Sequence, residues 1–254
     1  MSLNYLQIST LVGRVPSTQQ GILPALAPSF GAALTGSMRI VIAGGHGKIA
    51  LILERLLAEA GHEPVAIIRN PDHRDDVDAT GAAAVVLDLE EASVDEVGQV
   101  LKNADAAVFA AGAGPGSGAA RKFTVDRDAA VLLADAAEAA GVPRIVVISA
   151  MNADRFDPAS DDVFQLYLRA KSEADASVRG RDLDWTIVRP GSLTDDEGTG
   201  LVRAGAGLPS GRIPRADVAR TIATLLATGA ASRTQFDLVT GDDPIEEALA
   251  SLGA

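Results

Sequence analysis

Apolar residues along this chain follow two alternating periods. Short runs rich in β-branched residues occupy positions 40–43, 65–68, 83–87, 106–110, 145–148 and 185–188. Each run is apolar throughout, Thr186 excepted, rather than every second residue, as in strands buried on both faces. Between the runs, apolar residues recur three and four positions apart. Ile49, Leu53, Leu56, Leu57 and Ala60 do so before Gly61, and Val94, Val97 and Leu101 do so before the fourth run. Helices are likewise predicted over 123–140, closed by Gly141 and Pro143, and over 163–178. Strands alternating with helices at this spacing predict βαβ units and a mainly parallel, doubly wound α/β sheet. Beyond Pro190 the pattern thins to a helix over 216–226, a strand over 235–239 and a final helix over 245–252. One domain over 38–254 is expected, with 190–254 forming a small substrate region. The acidic stretch 194–200 reads as a solvated loop.

Residues 1–37 lack this patterning. They hold a single basic residue, Arg14, no acidic residue, and only short, interrupted apolar pieces, unlike a secretory signal. They read as a vector-derived leader or a poorly ordered extension before Met38.

The first strand and helix are joined by Ala43-Gly44-Gly45-His46-Gly47-Lys48-Ile49-Ala50. Strand, glycine turn and helix is the context in which backbone N–H groups hold a pyrophosphate at a helix N-terminus. Gly44 allows a sharp turn, Gly47 lets backbone approach phosphate, and the small Ala50 lets helix and strand pack closely. Other strand ends add to this. Arg69 follows the second strand, where an acid would favour the ribose hydroxyl of NAD. An arginine suits a 2′-phosphate, so NADP is expected over NAD. Asp88 and Leu89 follow the third strand, where an adenine contact is expected. Ala110, Ala111 and Gly112 follow the fourth, where small side chains leave the backbone open to a cofactor. The glycine-rich loop 112–118 is positioned to close over it.

Charge and composition narrow the partners. The net charge of −12 argues against a nucleic acid or an anionic membrane surface. No run approaches the ~18 apolar residues of a membrane-spanning helix. There is no cysteine, and the three histidines (His46, His62, His73) are scattered, so no metal site is expected. The expectation is a cytoplasmic protein, monomer or homodimer, with a small-molecule substrate.

The spacing Gly44-x-x-Gly47-x-x-Ala50 resembles the fingerprint of extended and atypical short-chain dehydrogenase/reductases, and the resemblance extends from Met38 to the chain end. The segment from Val125-Asp126 to Ser149 resembles the long helix and fifth strand of their sugar epimerase/dehydratase-like members. Leu183 to Thr194 resembles the sixth strand and the proline–glycine turn, placing Pro190 beside the nicotinamide. Two features depart from the pattern: His46 stands where a small or hydroxyl residue is frequent, and the C-terminal region is short. Ser149 at the end of the fifth strand, with Tyr167 and Lys171 four apart on one helix face, resembles the family's Ser–Tyr–Lys set. A phenol at its ordinary pKa of about 10 is a poor base. A neighbouring ammonium would lower that pKa. Tyr167 would then exchange a proton with the substrate oxygen, which Ser149 would position, while Lys171 would also hold the cofactor ribose. Lys171 has an alternative partner in Asp175, four residues on. The resemblance implies a Rossmann fold, NAD(P) binding through Gly44, Gly45, His46, Gly47, Lys48 and Ile49, and hydride transfer on a small carbonyl or hydroxyl compound. It leaves open an NADP-binding redox sensor without turnover, or a flavin- or biliverdin-type reductase.

Overall fold

The computed structural model describes residues 36–114 and 116–253. Apart from Gly36 and Ser37, the predicted leader lies outside the described residues. The chain runs through β1 (Arg39–Ala43), α1 (Lys48–Glu59), β2 (Glu63–Ile68), α2 (Arg74–Asp78), β3 (Ala83–Val86), α3 (Val94–Leu101) and β4 (Ala106–Phe109). A continuous helical rod follows, made of α4 (Ala119–Arg121), a π-helical stretch (Lys122–Asp128) and α5 (Ala129–Ala139). Then come β5 (Arg144–Ile148), α6 (Val163–Arg179), β6 (Asp184–Pro190), β7 (Ser192–Thr194), β8 (Leu201–Gly205) and β9 (Arg212–Pro214). The chain closes with α7 (Arg215–Thr228), β10 (Thr234–Thr240), β11 (Asp243–Pro244) and α8 (Ile245–Ala250).

Nine strands form one sheet in the order β11-β8-β10-β6-β5-β4-β1-β2-β3. All pairings are parallel except those that β8 makes with β10 and β11. Strand order reverses beside β1, which pairs with β2 on one side and β4 on the other; in such sheets the crevice beyond this switch point takes ligands. The apolar runs are buried because helices cover both faces, except at the sheet edge, where β3 is half-buried or exposed. Ile40 and Ile42 of β1 pack into a core with Leu53, Leu57 and Ile222 of α1 and α7. Val41 and Ala43 face the other core, with Val97, Leu133 and Val178 of α3, α5 and α6.

Several elements differ from expectation. β8 and β11, and the separate small sheet of β7 and β9, lie in stretches for which no strand is predicted. The loop 194–200 is exposed for most of its length, yet it is pinned. Asp217, fully buried in the first turn of α7, accepts the Thr199 and Gly200 N–H groups, each at 2.9 Å. Asp195 is held by Lys48 and Arg215, each at 2.6 Å. The long helix begins earlier than predicted and is wound wide over its first half. No helix among the described residues is long and apolar enough to cross a membrane.

One buried charge is costly. Glu54 of α1 is fully buried; its Oε2 accepts from Thr80 at 3.1 Å, while its Oε1 has no partner. Burial raises its pKa from 4.5 to about 7. The folded protein therefore keeps a proton that the unfolded chain has lost. Stability falls as pH rises from about 4.5 to about 7 and levels off above that. Glu54→Gln removes this titration. Urea melts at about pH 5 and pH 8 should show the variant gaining ~1–3 kcal/mol on the wild type between the two conditions. A difference independent of pH would contradict this.

Candidate active site

The turn between β1 and α1 sits at the switch point. Gly44 adopts φ +83°, and its N–H and that of Gly45 both donate to Ile67 O of β2, at 3.2 and 2.9 Å. A Cβ at Gly44 would lie 2.5 Å from Ala111 Cα, and one at Gly47 3.1 Å from Gly44 O. Gly47 caps α1 without a side chain, and no acid occupies the first helical turn. The first N–H groups of α1 thus have no intrahelical partner, in a place where the helix dipole favours an anion. This bare backbone cradle fits a pyrophosphate.

A cleft of about 290 Å³ extends from the turn, lined by strand ends: Gly44, His46 and Gly47 after β1, Arg69 after β2, Asp88 and Leu89 after β3, and Ala110, Ala111 and Gly112 after β4. Glu90 sits among cations here. It accepts from Arg121 at 2.7 Å, Arg69 at 3.0 Å and Thr124 at 2.6 Å, and Arg121 foremost holds its carboxyl below the usual range. The His46 ring stacks on His73 with 3.6 Å between ring centres, and its Nε2 meets Asp76 at 2.8 Å. Five expected contributors fall outside this lining: Ile49, Lys171 and Pro190, which line neighbouring hollows, and Gly45 and Lys48. Gly45 backs onto β2, where a Cβ would lie 2.5 Å from Ala66 Cβ. Lys48 turns outward to Asp195.

A second cleft, of about 680 Å³, shares Ala110, Ala111 and Gly112 with the first and is lined by Ile49, Ser149, Tyr167 and Lys171. The three candidate catalytic residues thus meet in one cavity. Pro190 lines an adjoining hollow of about 450 Å³ that also reaches Ser149 and Tyr167. Ser149 follows β5 and is fixed by its N–H to Val188 O at 2.8 Å. The polar contacts differ from those expected. Lys171 is 3% exposed; it donates to Ile148 O at 3.1 Å and pairs with Asp126 at 3.4 Å, not with Asp175. Its Nζ lies 6.0 Å from the centre of the Tyr167 ring. Burial pushes the Tyr167 phenol up, with Lys171 opposing and Asp126 and Asp175 reinforcing the rise.

Asp175 instead accepts from Ser149 Oγ at 2.7 Å and from Arg189 Nε at 2.9 Å. Arg189 continues outward to Asp154, at 2.6 and 2.8 Å, and holds that carboxyl down at about 2. Burial pushes Asp175 up against the pull of Arg189. With its hydrogen donated to Asp175, Ser149 presents lone pairs rather than a donor to the cleft.

Sequence reasoning missed Asp126, Lys122, Asp175 and Arg189 as site residues. A buried acid or lysine is unusual in a helix face otherwise lined with alanine and valine, and that signal was present. What it could not convey is that the segment winds as a π-helix and that its Lys122 and Asp126 line the cleft.

A family model of NAD(P)H-binding proteins matches residues 44–228. The Bacillus subtilis protein described as "Uncharacterized sugar epimerase YhfK" is 35% identical over 216 residues, covering 85% of this chain and all of that one. A solved Bacillus halodurans structure, provisionally described as an NAD-dependent epimerase/dehydratase, is 34% identical with a TM-score of 0.77; it covers 85% of this chain and all of its own. The Lactococcus lactis oxidoreductase ylbE is 30% identical with a TM-score of 0.75, over 85% of this chain and 96% of its own.

Proposed function

The chain belongs to the NAD(P)H-binding family, among relatives of the atypical short-chain dehydrogenase/reductase and epimerase/dehydratase type. From that premise we propose that it is an oxidoreductase, or an epimerase working through transient oxidation, acting on a small carbonyl or hydroxyl compound. The observation that carries this reading is the convergence of Ser149, Tyr167 and Lys171 on a cleft continuous with the glycine-turn crevice.

The nicotinamide would supply or take up the hydride. The first turn of α1 would hold its pyrophosphate, and Asp88 and Leu89 would border its adenine side. Arg69 and Arg121, two guanidiniums sharing the single carboxylate of Glu90, favour a 2′-phosphate and hence NADP over NAD. Tyr167, its phenol held protonated by burial, is poised to donate a proton to a carbonyl oxygen. Lys171 stabilises the phenolate left behind, and its bonds to Asp126 and Ile148 keep it in place. Ser149, as an acceptor, holds the hydroxyl of the alcohol form. A second reading, a dinucleotide-binding redox sensor without turnover, draws on one observation: Lys171 is bonded to Asp126 and Ile148 rather than to the phenol.

Two substitutions test this. Tyr167→Phe should retain NADPH binding and lower kcat for carbonyl reduction by ~10²–10⁴-fold. Unchanged turnover would remove Tyr167 from proton transfer, and binding without turnover in the wild type across a carbonyl panel would favour the sensor. Arg69→Glu should weaken NADPH binding by ~10-fold or more while leaving NADH little changed. Equal loss for both would contradict the NADP assignment.

A further inference from the structure

Proton transfer leaves one buried cation of the cleft unused. Lys122, on the π-helical stretch, is 8% exposed, and its Nζ lies 5.4 Å from the centre of the Tyr167 ring. An ammonium has three N–H donors. One of them reaches Gly114 O at 3.0 Å, and among the described residues no carboxylate forms an ion pair with it. Asp126, one turn on, is committed to Lys171 and to the Ala113 N–H. The other cations near the cleft are provided for: Lys171 has Asp126, and Arg189 has Asp175 and Asp154. Burying an ammonium without a counter-charge is costly. This chain carries 34 acidic residues, and none of those described neutralises Lys122.

Another part of the same cleft's lining is apolar and open. Val163, Phe164 and Leu193 line it with 43%, 61% and 37% of their surfaces exposed. Phe164 lies 6.0 Å, centre to centre, from Tyr167. The Tyr167 ring therefore has both an unneutralised cation and an uncovered aromatic ring within about 6 Å. A cluster of exposed apolar residues at a cavity marks a place where an apolar ligand is covered.

We propose that the cleft selects an amphipathic anion: a carbonyl compound whose carboxylate or phosphate pairs with Lys122 and whose apolar body lies against Phe164, Val163 and Leu193. This rests on the reading of the cleft as the substrate site, and it names the substrate class. The same oxyanion chemistry is available from the dinucleotide's own phosphate, so the test separates the two sources. NADP⁺-saturated protein, which cannot reduce a ketone, is titrated calorimetrically with benzoylformate, phenylpyruvate and phenyl phosphate, each against its neutral ester or alcohol counterpart. The acids should bind the wild type ~10-fold or more tighter than their counterparts. Lys122→Met should abolish that preference, Lys122→Arg should restore it, and both should keep wild-type NADPH affinity. Phe164→Ser should weaken acid and neutral forms alike. Two results would overturn the proposal: no acid binding better than its neutral counterpart, or Lys122→Met weakening NADPH by a similar factor, which would assign the oxyanion to the cofactor. The readout is binding, so a failure to find turnover would count against the oxidoreductase reading and leave this result standing.

Discussion

A side chain at position 44 has nowhere to go. Gly44 at φ +83° backs onto the end of β4 so closely that a Cβ would meet Ala111 Cα at 2.5 Å, and Gly45 backs onto β2 equally closely. The turn is thus wedged between the two neighbours of β1, at the point where strand order reverses. That wedge positions the rest of the site. It brings the first turn of α1 to the crevice with its N–H groups uncapped, and it sets Ala110, Ala111 and Gly112 along the boundary shared by the two clefts. A larger residue at either glycine would push the strand ends apart and widen the crevice in which sheets of this kind receive a dinucleotide.

Around this frame the charges are arranged by burial. Asp126 with Lys171, and Asp175 with Arg189, are nearly inaccessible pairs at the carboxyl ends of β4, β5 and β6. Pairs of this kind contribute little net stability, but losing one partner typically costs ~3–5 kcal/mol because it strands the other charge. Their value here is positional. Asp126 draws Lys171 onto the Ile148 carbonyl, and Asp175 sets the direction of the Ser149 hydroxyl. Lys122 lacks such a partner, which is why it points to a ligand.

The βαβ alternation and the parallel core strands were legible in the sequence, because strands buried on both faces read as unbroken apolar runs. The glycine turn and the Tyr167/Lys171 pair were legible because their spacing is local. The antiparallel strand β8 was not: it has one well-buried residue, Val202, and the sequence around it carries no apolar run. Hydrogen bonds to Asp217 and β10 order that region instead, and those contacts are distant in sequence. The choice of Asp126 over Asp175 as partner of Lys171 was equally hidden. Position i+4 is the natural helical guess, but Arg189 on β6 and Ser149 after β5 claim Asp175 first. The enclosure of Glu54 comes from the packing of α1 against β2 and α2, contacts that the spacing within α1 does not convey.

The central claim is that a nicotinamide dinucleotide lies across the switch point between β1 and β4. Amide hydrogen exchange on the wild-type protein, with and without saturating NADPH, tests it most directly. The account predicts slowed exchange at 44–50 and at 110–112 together, with the far edge at β8 and β11 unaffected. Unchanged exchange at both segments, or protection confined to other parts of the sheet, would contradict it.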